Sequence, residues 1–242
     1  MTEWFHSWFD SSYYHLLYHH RDDLEAEMFI KHLFPEIDLA PNLKILDLAC
    51  GKGRHAQIMN KMGYFVTGID LSKSNIEEAN QMAAKDLEFF VHDMRKPFRE
   101  SFYDLVTNLF TSFGYFDTIE EHAEVLENIR HNLKPGGLFI LDYLNPHYVK
   151  KHLVEQEEKR IDGVDFFIKR TINMDTVIKS IEVRDGDRKY HFEERVRLFS
   201  HSDFLRLFSQ FNFEIREVWG NYNLSRYSRS SPRQIIYTKC TL

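Results

Sequence analysis

The chain has 242 residues, 43% of them hydrophobic and 28% charged, which is enough for one full α/β core with an insertion or small lid. With 31 basic and 37 acidic residues the net charge is −6, which disfavours a nucleic-acid partner, and no apolar run reaches the length of a membrane span. The aromatic start lacks the features of a secretory signal, the two cysteines (Cys50 and Cys240) are far apart, and no histidine or cysteine pair has zinc-site spacing; a reducing cytoplasm and no metal are expected.

In chain order, Asp22 to Phe34 (DDLEAEMFIKHLF) places Leu24, Met28 and Leu33 near one helical face, and Pro35 stops that helix. The apolar run LKILDLA (43 to 49) is followed by a glycine turn and the helical stretch RHAQIMNKM, ending at Gly63. YFVTGID (64 to 70) predicts a second strand, with Ser72 as N-cap of the helix behind it. LEFFVHD, YDLVTNLF and GLFILDYL follow as buried strands, with the helix IEEHAEVLENIRHNL and a Lys134-Pro135-Gly136-Gly137 turn before the last. Strands alternating with helices imply a doubly wound, mostly parallel sheet.

After Tyr148 the periodicity changes to two. VDFFIKRTI, TVIKSIEV and RKYHFEERVRLF predict an antiparallel meander inserted over 160–198, within one domain spanning 1–242. The helix DFLRLFSQF and the strands FEIREVW and RQIIYTKC then resume the α/β pattern.

The glycine turn carries the first chemical signal. Gly51 and Gly53 let the backbone approach a ligand at a helix N-terminus, although GKGRHA by itself also fits a nicotinamide-dependent oxidoreductase. Asp70, closing the second strand, can accept from two ribose hydroxyls. Asp47, before the turn, can receive the ammonium of an amino-acid moiety; Asp93 can accept from an adenine amine, and Met94 can cover the ring. Each acid taken alone also reads as a strand-end cap.

DLACGKG, GIDLS, HDMRKPF, YDLVTNLFTSFGYF and LKPGGLFILD, in this order over residues 43 to 144, resemble the class I S-adenosylmethionine-dependent methyltransferases. Ala49 departs from the pattern, standing where many members carry a glycine. The resemblance implies S-adenosylmethionine as cofactor and S-adenosylhomocysteine as product. It also implies a Rossmann-like seven-stranded sheet in the order 3-2-1-4-5-7-6, with the last strand antiparallel. Through it, Asp47 and Gly51 serve the methionine end, Asp70 and Leu71 the ribose and adenine, and Asp93 and Met94 the adenine. Asn108 and Leu109 form the wall beneath the sulfonium.

The segment Tyr13 to Tyr18, with Arg21 behind it, resembles the N-terminal lid of small-molecule N-methyltransferases, including those acting on amino sugars. Residues 1–40 then form a lid segment and helix, and the meander completes the lid. The likeness puts Tyr14 near the methyl group and Tyr18 or Arg21 near the cofactor carboxylate; aromatic packing is the alternative. Tyr115, Asp142 and Asn145 follow the fourth and fifth strands, where loops face an acceptor, and His147 is a candidate base. In the tail, where Arg226, Arg229 and Arg233 gather, Arg233 is expected to engage a substrate carboxylate or phosphate. Methyl transfer to nitrogen or oxygen of a small molecule is the expected function. An RNA or protein methyltransferase, an oxidoreductase and a non-catalytic binding protein are the alternatives.

Overall fold

The computed structural model describes residues 3–18 and 23–241, so Arg21 lies outside the described residues. Three helices come first: α1 (Trp4–Phe9), α2 (Ser12–Tyr18) and α3 (Asp23–Glu36). The α/β part then runs β1 (Lys44–Leu48), α4 (Arg54–Lys61), β2 (Phe65–Asp70), α5 (Lys73–Ala79), β3 (Leu87–Val91), β4 (Tyr103–Asn108), α6 (Ile119–Asn132) and β5 (Leu133–Leu144). After α7 (Pro146–Lys151) come β6 (Gln156–Ile161), β7 (Val164–Asn173), β8 (Thr176–Asp185) and β9 (Arg188–Arg197). The chain closes with α8 (His201–Gln210), β10 (Phe213–Trp219) and β11 (Arg233–Cys240).

The large sheet has the order β3-β2-β1-β4-β5-β11-β10, with β11 antiparallel to both of its neighbours. This is the expected 3-2-1-4-5-7-6 arrangement once the inserted strands are numbered. Its two faces bury alternate residues of the same strands. Ile45, Val66 and Leu105 pack under Phe29, Ile30 and Leu33 of α3 and Met59 of α4. Leu46, Val106 and Leu141 pack under Leu126 and Ile129 of α6 and Phe204 and Phe208 of α8. Each such fully buried side chain contributes roughly 1.5–3 kcal/mol, and together they fix the strand ends that carry the site.

Two expectations need correction. In α3 the buried stripe is Ala26, Phe29, Ile30, Leu33 and Phe34, while Leu24 and Met28 are 59% and 46% exposed. Spacings of three and four starting from Ala26 outweigh the larger but misaligned Leu24 and Met28. Pro35 sits inside the last turn rather than ending the helix before it.

The inserted sheet has four strands, β6-β7-β8-β9, beginning at Gln156 instead of near 160. The first strand, QEEKRI, has no apolar alternation to announce it; its backbone pairs with β7, and its side chains are mostly exposed. Val164, Phe166, Ile168, Ile181 and Val183 supply the sheet's apolar face, which covers Trp8 of α1 and Leu17 of α2. Phe5, also on α1, packs instead into the core of the large sheet, so the N-terminal helices bridge the two sheets. None of the described helices is long and apolar enough to cross a membrane.

Candidate active site

The turn after β1 places Ala49, Gly51 and Gly53 in the left-handed region, with φ of 55°, 54° and 80°. Ala49 tolerates this at a cost of about 1–2 kcal/mol that a glycine would not carry. The two glycines have different reasons to be glycine. A Cβ at Gly51 would meet nothing within 4 Å, whereas a Cβ at Gly53 would stand 2.6 Å from the Phe89 ring. Only Gly51 therefore opens the backbone to a ligand; Gly53 lets α4 close on β3.

Asp47, 1% exposed at the end of β1, accepts 2.9 Å from the Thr107 hydroxyl through Oδ1. Its Oδ2 is buried without a hydrogen-bond partner. Burial pushes the carboxyl up to about 7, with the Thr107 hydrogen bond opposing and the Asp70 charge adding. On the adjacent strand, buried Asn108 donates 3.1 Å to the Leu48 carbonyl and leaves its own Oδ1 without a partner. Two orphaned acceptors on neighbouring strand ends fit a group rich in N–H donors, such as an ammonium.

Asp70 braces the loop. Its Oδ2 accepts 2.8 Å from the Gly51 N–H and its Oδ1 accepts 2.8 Å from the Ser72 N–H. Burial raises its pKa, against the pull of those two amides. Each oxygen keeps a second lone pair, so ribose hydroxyls remain acceptable partners. Leu71 and Met94 are partly buried against the core beneath α6, and Leu109 is buried beside α3 and α4.

Asp93 is more heavily engaged than the sequence implies. Its carboxylate takes Arg95 Nε at 3.2 Å and Nη2 at 2.8 Å, and Oδ1 also accepts the Arg95 N–H. Burial alone would raise its pKa, but the Arg95 guanidinium holds it below the usual carboxylate range.

The N-terminal helices lie over this rim. Asp10, between α1 and α2, accepts 2.7 Å from the Ser72 hydroxyl and also accepts from the Ser74 hydroxyl. His15 on α2 is held below its ordinary pKa by burial and by the nearby Lys52 of the glycine turn. Tyr14 stands in an aromatic row: its ring centroid is 5.0 Å from Phe9, which is 5.3 Å from Tyr115. The structure thus brings Tyr14 and Tyr115 into one wall, through a residue that sequence reasoning missed. Tyr18 donates 2.7 Å to Glu194 of β9, which also accepts 2.6 Å from Trp8 Nε1.

The residues expected to face an acceptor beyond β5 meet a different arrangement. Asp142 and Asn145 are 0% exposed. Asp142 accepts from the Phe110 N–H at 2.9 Å and the Tyr222 hydroxyl at 3.0 Å, and pairs with Arg233 at 2.7 Å. Besides this pair, Arg233 donates 2.8 Å to the Thr111 hydroxyl. Phe110 and Thr111 both have positive φ, 59° and 61°, and the Asp142 pair holds this strained turn after β4. Asn145 donates to the carbonyls of Ser228, Arg229 and Ser231 and caps α7, so it anchors the tail. His147 is exposed on the first turn of α7. The tail packs against this turn, with Tyr222 stacked 5.2 Å from Phe110.

Sequence comparison decides between the two readings of the glycine turn. The methyltransferase domain family matches residues 39–196. The chain belongs to that family. An N,N-dimethyltransferase of dTDP-3-amino-3,4,6-trideoxy-alpha-D-glucopyranose from Streptomyces venezuelae is 27% identical over 179 residues, 70% of this chain and 71% of that one. A ubiquinone biosynthesis O-methyltransferase from Rickettsia typhi is 25% identical over 140 residues, 58% of this chain but only 56% of the enzyme. Among solved structures, an S-adenosylmethionine-dependent methyltransferase from Clostridium acetobutylicum superposes with a TM-score of 0.80 at 21% identity, covering 95% of this chain and 96% of that one. The oxidoreductase reading, by contrast, leaves Asp47 and Asp93 without roles.

Proposed function

We propose that this methyltransferase uses S-adenosylmethionine to methylate a nitrogen or oxygen of a small molecule in the cytoplasm. The observation that carries the reading is the unpartnered Oδ2 of Asp47, a buried carboxylate oxygen beside a glycine turn that Asp70 holds open. Asp47 and the Asn108 carbonyl oxygen would receive the ammonium of the methionine end, Asp70 the ribose, and Asp93 with Met94 the adenine. When bound, the cofactor supplies a methyl group made electrophilic by its sulfonium.

What remains for the chain is to orient an acceptor and exclude water. The row Tyr14, Phe9 and Tyr115, with Trp4 5.4 Å from Tyr115, offers an aromatic wall suited to a compact organic amine or phenol. With Arg233 paired to Asp142, the charge at the end of β5 is compensated within the fold, which favours an uncharged acceptor over a carboxylate. Tyr14, in that wall, is the group for holding an acceptor proton, and exposed His147 is the weaker candidate. The buried, unpaired Cys50 and Cys240 suit a reducing compartment.

Incubation with S-adenosylmethionine and a panel of amino sugars, alkyl amines and phenols tests this reading by mass spectrometry. The expected result is an acceptor heavier by one methyl group together with S-adenosylhomocysteine. Product formed only with RNA or protein pools would overturn the small-molecule assignment.

A further inference from the structure

The guanidinium of Arg95 meets three carboxylates. Nη1 donates 2.7 Å to Glu3 and 2.9 Å to Glu121, Nη2 donates 2.9 Å to Glu3 and 2.8 Å to Asp93, and Nε donates 3.2 Å to Asp93. All of its N–H directions are thereby used, and the Phe116 ring lies 4.8 Å beneath it. Asp93 and Glu121 belong to the body of the fold, the latter in the capping box that starts α6. Glu3 is the residue before α1, so its two bonds join the N-terminal helices to the body. A cation shared by three anions is electrostatically under-supplied: without it, Glu3 would face Asp93 and Glu121 with no compensating charge.

A second connection of the same form stands across the rim. Asp70 accepts the Ser72 N–H, and the Ser72 hydroxyl donates to Asp10 of the N-terminal segment. Both acids assigned to the adenosine are therefore one residue away from a carboxylate of the N-terminal helices, through Arg95 in one case and Ser72 in the other. Those helices also rest on the four-stranded sheet, where Trp8 and Tyr18 share Glu194, so they retain a second support when the rim contacts break.

We infer that Arg95 is a positioning residue that couples occupation of the adenosine end to closure of helix α1, so that cofactor entry and product release require the Glu3–Arg95 contact to open. Nε divides its one proton between both Asp93 oxygens at 3.2 Å, so Asp93, oriented by Arg95, keeps one acceptor direction for the adenine amine, and the bound purine in turn holds Asp93 and Arg95 in the geometry that accepts Glu3. Ligand and lid therefore stabilise one another, and each leaves more readily when the other is absent. The proposal rests on the cofactor assignment made above.

The test measures S-adenosylhomocysteine dissociation by stopped flow, and hydrogen exchange of the Trp4–Phe9 amides, in wild type, Glu3→Gln, Arg95→Lys and the double variant. In wild type the ligand should slow exchange in that helix by about tenfold, and each single variant should release ligand about tenfold faster. The double variant should be little worse than either single one, because both remove the same contact. KM for S-adenosylmethionine should rise by more than kcat falls, a split that general loss of structure would not give. If Arg95→Lys folds poorly, Asp10→Asn at the other connection should show the same faster release. Wild type that binds S-adenosylhomocysteine while the variants release it at the wild-type rate, or unchanged exchange in α1, overturns the coupling alone. Failure of wild type to bind the ligand overturns the cofactor assignment as well.

Discussion

Asp47 and Thr107, paired across adjacent strands β1 and β4, share a 2.9 Å hydrogen bond that occupies one carboxylate oxygen and leaves the other buried and bare. Burial holds that carboxyl at about 7, so near neutrality it is protonated for about half of the time. An ammonium needs the ionised form. Below about pH 7 binding must expel a proton, and affinity for S-adenosylhomocysteine should rise up to about tenfold per pH unit until it levels off above that value. Calorimetry in buffers of different protonation enthalpy reads the released proton directly. Asp47→Asn should weaken binding roughly 10- to 100-fold and flatten the pH profile; proton uptake on binding would contradict the assignment.

Gly51 and Gly53 should separate under mutation. Gly53→Ala drives a Cβ to 2.6 Å from Phe89 at φ 80°, and denaturant titration should show a loss of about 2–4 kcal/mol. Gly51→Ala adds a methyl to open space at φ 54°, so its stability cost should be about 1 kcal/mol while cofactor affinity falls further than in Gly53→Ala protein that remains folded.

The fold should weaken in mild acid through His122. It is buried among Phe113, Phe116 and Phe199, and burial, only partly offset by the Thr118 carbonyl, pushes its pKa down from 6.5 to about 4. A histidine kept neutral by the fold contributes full stability above its unfolded value. That stability is lost as pH falls from 6.5 toward 4, because the unfolded chain takes up the proton first. Thermal denaturation over this range should show Tm falling in wild type and falling less steeply in His122→Gln.

Much of the site was legible because α/β strand ends and glycine turns are local signals. DLACGKG places Asp47 before the turn, GIDLS places Asp70, and the structure sets Asp70 on the Gly51 amide, with Asp47 near enough to Asp70 to feel its charge. The strands FEIREVW and RQIIYTKC are found with the expected bounds, since each is a single apolar-patterned run between turn residues. What the sequence hides are partners distant along the chain. Nothing near Asp142 announces that Arg233 will neutralise it, and nothing near Asp93 announces Glu3, although Arg95 stands two residues on in HDMRKPF. The polar strand β6 was missed because pairing with β7, rather than burial of its own side chains, holds it in place.

The Asp142 and Arg233 pair gives a fourth expectation. Arg233→Met leaves a fully buried carboxylate without its cation and should cost about 3–5 kcal/mol. The double change Asp142→Leu with Arg233→Met should recover part of that loss, while the strained Phe110–Thr111 turn loses its anchor and cofactor binding stays impaired. Urea denaturation of the two variants, with calorimetry on each, separates these effects.

The most direct measurement is calorimetric titration of the purified protein with S-adenosylhomocysteine, set beside NAD under the same conditions. Saturable binding of S-adenosylhomocysteine at one site, abolished or strongly weakened in Asp70→Ala and absent for NAD, is the result expected from the strand-end acids and the turn they flank. Binding of NAD in its place, or no binding of S-adenosylhomocysteine, would contradict it.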